Sequence, residues 1–345
     1  MSDVNIRIKG RAGRITLNRP AALNAMTYEM CTAIEAAIDH WRADDSVALI
    51  LVDAAGDKAF CAGGDIAELY ATGTAGDFDY GRRFWRDEYR LNAKLFEYPK
   101  PVVSLMQGFT MGGGVGLGCH GTHRVVGETS QIAMPECGIG LVPDVGGSLM
   151  LALAPGRLGE YLGATGARMG PADAIYAGFA DLYVPQSKWA DLTAQLVATG
   201  DPACIETMAE TPSEGRLPGL QPQIDALFGG ESRVHVINAL KADGGDFAAE
   251  ALKTLSRNAP LSVACTIEMV HRLRIVASLT IRRALELEYR ITFRAMEHSD
   301  FLEGIRAQII DKDRTPRWQY AGEDVPLTAV ARMLMPLGAD TLTFD

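Results

Sequence analysis

Residues 47–52 read VALILV, a run of six positions without one polar side chain. A run of that length fits a strand, and a strand with no polar face is covered on both sides, as in a parallel sheet flanked by helices. The neighbouring segments agree. Residues 4–8 and 14–17 read as two short strands with Gly10 to Gly13 as the turn, and Asn18-Arg19-Pro20 stops the second. Thr27 is placed to cap a helix running towards Trp41, in which Met30, Ile34, Ala37, Ile38 and Trp41 recur at helical spacing.

Residues 54–64 read as a loop and 78–96 as a helix that ends before Pro99 and Pro101. Strands are expected at 101–106, 124–126 and 131–133, then a glycine- and proline-rich loop at 138–147. Short helices are expected at 148–154, 157–165 and 171–177. Beyond about residue 187 strand signal fades, and 188–198, 232–241, 247–257, 261–279 and 281–297 look helical. The stretches 200–219 and 229–230 read as connectors. The expectation is an α/β core over 1–190 followed by an α-helical C-terminal region over 191–345.

Bulk properties narrow the partners. A net charge of −10 over 345 residues argues against a general nucleic-acid binder, which needs a basic face. No apolar run approaches the roughly 18 residues that span a membrane, and the polar start MSDVNIRIKGRAG lacks a signal core. Cysteines 31, 61, 119, 137, 204 and 265 form no CxxC pair and read as free thiols. A soluble cytoplasmic protein is the expectation.

Two segments carry the chemical signal: Phe60-Cys61-Ala62-Gly63-Gly64-Asp65-Ile66 and Met111-Gly112-Gly113-Gly114-Val115-Gly116. Each follows an apolar segment and leads towards a helix. Glycine lets a backbone N–H approach a ligand closely, and a helix N-terminus leaves such donors unpaired. Two converging donors make an oxyanion hole, each worth about 2.7–4 kcal/mol of transition-state stabilisation. Tight turns alone are the plainer reading of any one such glycine loop. Neither segment is a GxxxxGK[ST] phosphate loop or a full GxGxxG fingerprint.

Read together, four stretches resemble the crotonase (enoyl-CoA hydratase/isomerase) superfamily. They are ITLNRPAALNAM at 15–26, KAFCAGGDI at 58–66, PKPVVSLMQGFTMGGGVGL at 99–117 and AMPECGIGLVPDVGG at 133–147. The resemblance implies a spiral of β-β-α units with an α-helical C-terminal region. It also implies a coenzyme A thioester as substrate, with no separate cofactor or metal. Homo-oligomers, often trimers, are usual in this family, and the long C-terminal half leaves that state open here. By the match, the N–H groups of Gly64 and Gly113 hold the thioester oxygen, and Asn24, Ala25, Ala62 and Ile66 mark where the CoA moiety lies.

The match narrows further. Family hydratases carry a glutamate two residues past the glycine triplet, and Gly116 stands there in this chain. Glu136 and Asp144 remain. The pattern MPE…GLxPDVGG resembles the branch that hydrolyses 3-hydroxyisobutyryl-CoA, a valine breakdown product. The stretches WRDEYRLN at 85–92, LEYRITFRAM at 287–296 and DFLEGIRAQIIDKDRTPRW at 300–318 agree with it. Glu136 then acts as nucleophile or as general base on water. Asp144 binds the substrate 3-hydroxyl or orders the water, and Glu88 lines the acyl pocket.

Plainer readings stand beside these. Asp144 after proline also reads as a turn former, Glu88 as part of a solvated face, and Asp65 as a helix cap. His120 and His123 lack a third metal ligand nearby in sequence. Cys61 has no neighbour in sequence to activate its thiol and reads as packing. Ser104 and Ser148 lack a GxSxG elbow. Enoyl-CoA hydration or isomerisation, or acyl-CoA binding without catalysis, are the competing functions.

Overall fold

A computed structural model describes residues 2–320 and 325–344. The chain forms two compact units that interleave along the sequence. One comprises Met1–Gly64, Arg90–Ala133 and Arg168–Pro218, the other Asp65–Tyr89, Met134–Ala167 and Gly219–Asp345.

The first unit holds β1 (Val4–Lys9), β2 (Ala12–Leu17), β3 (Leu49–Ala54), β4 (Ala59–Cys61), β5 (Val102–Met106), β6 (Phe109–Met111), β7 (His123–Val126), β8 (Gln131–Ala133) and β9 (Leu182–Tyr183). One sheet runs β1-β2-β3-β5-β7-β9, antiparallel at its first pair and parallel thereafter. A second, all-parallel sheet runs β4-β6-β8. The consecutive pairs β3/β4, β5/β6 and β7/β8 each put one strand into each sheet. Repetition of that step is the spiral the family resemblance implied.

The core of this unit follows from strand periodicity. Leu49 and Leu51, Val103 and Leu105, and Val125 point to one face of the larger sheet. Leu192 and Leu196, one turn apart on the helix Trp189–Thr199, pack onto them. Ile50 and Val52, at alternate positions of β3, are buried too, as the apolar run required. Thr27 caps the helix Tyr28–Arg42, its side chain accepting from the Met30 N–H at 3.2 Å.

Beyond Tyr183 the described residues contain helices and no strand. In the second unit Pro260–Arg274, with proline at its first turn, buries residues on all sides and packs against Gly147–Leu153 and Leu158–Thr165. The helix Ile281–His298 starts at Thr280, whose side chain caps the Arg283 N–H.

Several local expectations change. The loop expected at 54–64 contains β4, and Phe109–Met111 is a strand as well. Three residues are too few to show a period, and their partners lie far away in sequence. The turn at 10–13 tightens to Gly10-Arg11, with Gly10 at φ 56°. The helix expected at 261–279 ends at Arg274. The expected connector at 200–219 contains the helix Cys204–Met208 and the start of Leu217–Leu227. All six cysteines are free thiols. Among the described residues no helix is long and apolar enough to cross a membrane.

Candidate active site

The glycine segments belong to the first unit. β4 and β6 are parallel neighbours with Cys61 opposite Thr110, so the chain leaves both strands at the same edge. Gly64 and Gly113 each lie three residues past that paired position. Gly63 takes φ 115° and Gly112 φ 50°, left-handed conformations that glycine adopts without strain. The two exits crowd each other: a Cβ on Gly114 would stand 2.1 Å from the Cys61 carbonyl oxygen. Gly113 is the first residue of the short helix Gly113–Gly118, where an N–H has no intrahelical acceptor. Among the described residues neither the Gly64 nor the Gly113 N–H donates to a protein oxygen.

The nearby loop is built by Asn24. It sits at φ 55°, buried, with its amide donating to the Ala55 and Ala59 carbonyls, each at 2.9 Å. Its oxygen accepts from the Arg19 N–H at 2.8 Å. That side chain is therefore committed to shaping the loop. The Ala25 carbonyl accepts from Arg19 Nη1 at 2.6 Å, and the Ala62 N–H donates to the Leu23 carbonyl at 3.0 Å. Ala62 remains half-buried. Cys61 is buried, its Sγ 3.5 Å from the Gly63 carbonyl, in keeping with packing. The His120 ring packs edge-on to Phe96 at 5.9 Å between centroids, and His123 Nδ1 lies 2.9 Å from Thr122 Oγ1.

The carboxylates belong to the second unit. Glu136 opens the 3-10 helix Glu136–Ile139, only 5% exposed, with Oε2 lacking a hydrogen-bond partner among the described residues. Asp144 is buried, and the Tyr89 phenol donates to its Oδ2 at 2.7 Å. Tyr89 Oη also lies 3.3 Å from Thr292 Oγ1. Glu88, on the helix Phe78–Phe96, is buried with Oε1 unpartnered, so the solvated-face reading of it fails. Glu288 is fully buried and accepts from the Gly146 N–H at 2.8 Å, the Ser148 N–H at 3.0 Å and the Ser148 hydroxyl. Ile66 begins the helix Ala67–Thr74 as its N-cap residue, which displaces Asp65 from the capping role expected of it.

Burial and mutual repulsion raise these acids. Burial first, then the charge of Asp144, hold Glu136 well above the usual carboxylate range, and the same two causes hold up Glu88. Burial lifts Asp144 to about 7 against the pull of the Tyr89 hydrogen bond. It lifts Glu288 to about 8 against its donors. Buried Glu160 in the same unit behaves oppositely. There the His271 hydrogen bond, the Arg274 charge and Arg157 outweigh burial and lower the pKa. Glu88, Glu136, Asp144 and Glu288 have no such cation among the described residues. A structural acid is neutralised by its partners. Acids left without a cation in the interior make a candidate reactive site.

Sequence reasoning missed Tyr89, Ser148 as a hydrogen-bonding group, Glu288 and Thr292. A signal existed for two of them. Glu288 and Thr292 fall in the buried stripe of their helix with Ile281, Ala284, Leu285, Ile291 and Ala295. A polar pair four apart in an apolar stripe requires partners inside.

A sequence profile described as enoyl-CoA hydratase/isomerase matches residues 12–334. The curated 3-hydroxyisobutyryl-CoA hydrolase, mitochondrial, of Gallus gallus is 37% identical, covering 99% of this chain and 91% of its own length. A crystal structure called an enoyl-CoA hydratase, from Rhodobacter sphaeroides, superposes with a TM-score of 0.95 at 57% identity. The match covers 99% of this chain and 100% of that one. A carnitinyl-CoA dehydratase structure from Mycobacterium thermoresistibile gives 0.94 at 40% identity, covering 100% and 99%.

Proposed function

The chain belongs to the enoyl-CoA hydratase/isomerase (crotonase) family, and on that premise we propose that it hydrolyses a short 3-hydroxyacyl-CoA thioester. The substrate that the resemblance favours is 3-hydroxyisobutyryl-CoA, cleaved to 3-hydroxyisobutyrate and CoA in valine breakdown. The observation that carries this reading is the buried, cation-free pair Glu136 and Asp144, with one Glu136 oxygen unengaged. The likeness to a named 3-hydroxyisobutyryl-CoA hydrolase along nearly the whole chain supports it.

In this reading the Gly64 and Gly113 N–H groups take the acyl oxygen as it gains charge. A Glu136 oxygen attacks the thioester carbon. The tetrahedral adduct collapses with loss of the C–S bond, CoA leaves as thiolate, and the acyl group rests on Glu136 as a mixed anhydride. Water opens the anhydride, releases the acid and restores the carboxylate. On the alternative route Glu136 takes a proton from water, which attacks the same carbon directly. Asp144 orders the water or binds the 3-hydroxyl, and Glu88 lines the acyl pocket. A single turnover in 18O-water probes the routes. Label in the Glu136 side chain marks an anhydride opened at the Glu136 carbon, whereas an unlabelled Glu136 means that water attacked the acyl carbon, of the anhydride or of the thioester itself.

Enoyl-CoA hydration is the second reading, favoured by the name of the Rhodobacter sphaeroides structure at 57% identity. Gly116, buried in the helix Gly113–Gly118, supplies no second carboxylate for it. The deciding assay follows thiol release from 3-hydroxyisobutyryl-CoA and water addition to crotonyl-CoA with the same preparation. Thiol release is expected. Hydration without release would overturn the hydrolase reading.

A further inference from the structure

The stretch LEYRITFRAM carried resemblance without a role, and the structure supplies one. Asp144 stands at the first position of a tight turn closed by the Gly147 N–H on the Asp144 carbonyl at 2.7 Å. Its two central residues are Val145 at φ 53° and Gly146 at φ 79°. Glycine takes that conformation freely, but a β-branched valine is strained there by about 1–3 kcal/mol. Such a turn persists only where its surroundings over-determine it.

The over-determining group is Glu288. Its Oε2 accepts from the Gly146 N–H, inside the turn, and its Oε1 from the Ser148 N–H and hydroxyl, just past it. On the other side the Tyr89 phenol fixes Asp144 Oδ2, and Thr292, one helical turn from Glu288, lies against that phenol. The Asp144 carboxylate is thus held through its backbone by Glu288 and through its side chain by Tyr89.

We propose that Glu288 is a positioning residue for Asp144, acting through the Gly146 and Ser148 N–H groups and not through the substrate. This inference rests on the reading that Asp144 takes part in turnover. Glutamine at 288 keeps the shape but replaces one accepting oxygen with an NH2 that faces an N–H donor, so the turn loosens. Misplacement of a reacting group by about 1 Å costs up to roughly 100-fold in rate.

The test is a double-mutant cycle in the full-length protein, assayed by thiol release from 3-hydroxyisobutyryl-CoA above about pH 8, where both Glu288 oxygens accept. Glu288→Gln is expected to lower kcat about 10- to 100-fold while KM changes less than about threefold. In an Asp144→Asn background the same change is expected to lower kcat by no more than about threefold. Equal losses in both backgrounds would overturn the proposal, because a merely structural role is additive. So would a normal kcat in Glu288→Gln. If that variant does not fold, Ser148→Ala, which removes one donor, takes its place in the cycle with a smaller expected loss and the same absorption by Asp144→Asn. Normal turnover in Asp144→Asn alone would overturn this inference together with the Asp144 assignment, whereas additivity would overturn only the role of Glu288.

Discussion

The glycine edge of the first unit and the acid cluster of the second solve opposite problems. At the edge of β4 and β6 the useful groups are main-chain N–H donors. They need no ionisation, and the requirement is an absence of side chains where strands exit close together. In the cluster the useful groups are side chains whose charge depends on what surrounds them. Among the described residues Glu136, Asp144, Glu88 and Glu288 are buried without cations, while Glu160 in the same unit is buried beside Arg157 and Arg274. The first region depends on backbone shape alone, the second on unpaired charge. Mutations that alter only shape or only charge therefore separate the two.

The largest effect is expected from Glu136→Ala, which removes charge and leaves the glycine edge intact. Turnover should fall by roughly four orders of magnitude while calorimetric binding of CoA persists. Near-normal turnover would remove the acid cluster from the chemistry. Next is Gly114→Ala, a change of shape alone. Its Cβ would stand 2.1 Å from the Cys61 carbonyl oxygen, so the neighbouring Gly113 N–H must move. A loss of about 100- to 1,000-fold in kcat is expected, read against an unchanged pH profile. A variant with full activity would show that this edge does not hold the acyl oxygen.

A smaller effect should appear in the pH profile. Asp144 titrates at about 7, and its charge is one cause of the raised Glu136 value. Turnover that requires an ionised Glu136 should therefore fall about tenfold per pH unit on the acid side of the Glu136 pKa, which burial and the Asp144 charge hold well above the usual carboxylate range. Asp144→Asn removes the repelling charge, so the acid limb of what activity remains should move to lower pH. An acid limb that stays in place would break the electrostatic half of the comparison.

The smallest effect concerns stability. Asp144 rises from 3.8 to about 7 on folding and Glu288 from 4.5 to about 8. Between these limits the folded state keeps protons that the unfolded chain has lost, so the share of stability that these two groups contribute falls as pH rises and is gone above about pH 8. Asp144→Asn abolishes its share. The Tm of the variant relative to the parent should become more favourable from pH 5 to pH 8. A difference independent of pH would mean that Asp144 is not held up by burial.

Local pattern reached some of this molecule and stopped at the rest. The apolar run at 47–52 specified β3, and Thr27 with its downstream stripe specified the helix Tyr28–Arg42, because both signals lie within a few residues. β4 and β6 escaped, since three-residue strands are defined by their pairing. The cap expected at Asp65 fell to Ile66, a shift of one residue that local propensity does not discriminate. Glu136 and Asp144 were legible as residue types in a motif, but their burial was not. Glu88 shows the gap most sharply: its charged neighbours Arg86, Asp87 and Arg90 suggested solvent, yet it faces the interior.

The sequence by itself determined where glycine must stand, which acids were at hand, and the alternation that makes an α/β chain with a helical C-terminal part. Those properties reside in covalent structure and short-range sterics. Tertiary structure alone decided which acids lose water and which gain a cation, and brought Glu288 and Ser148 together from 140 residues apart. Desolvation and Coulomb energies depend on neighbours in space, and no local pattern encodes them.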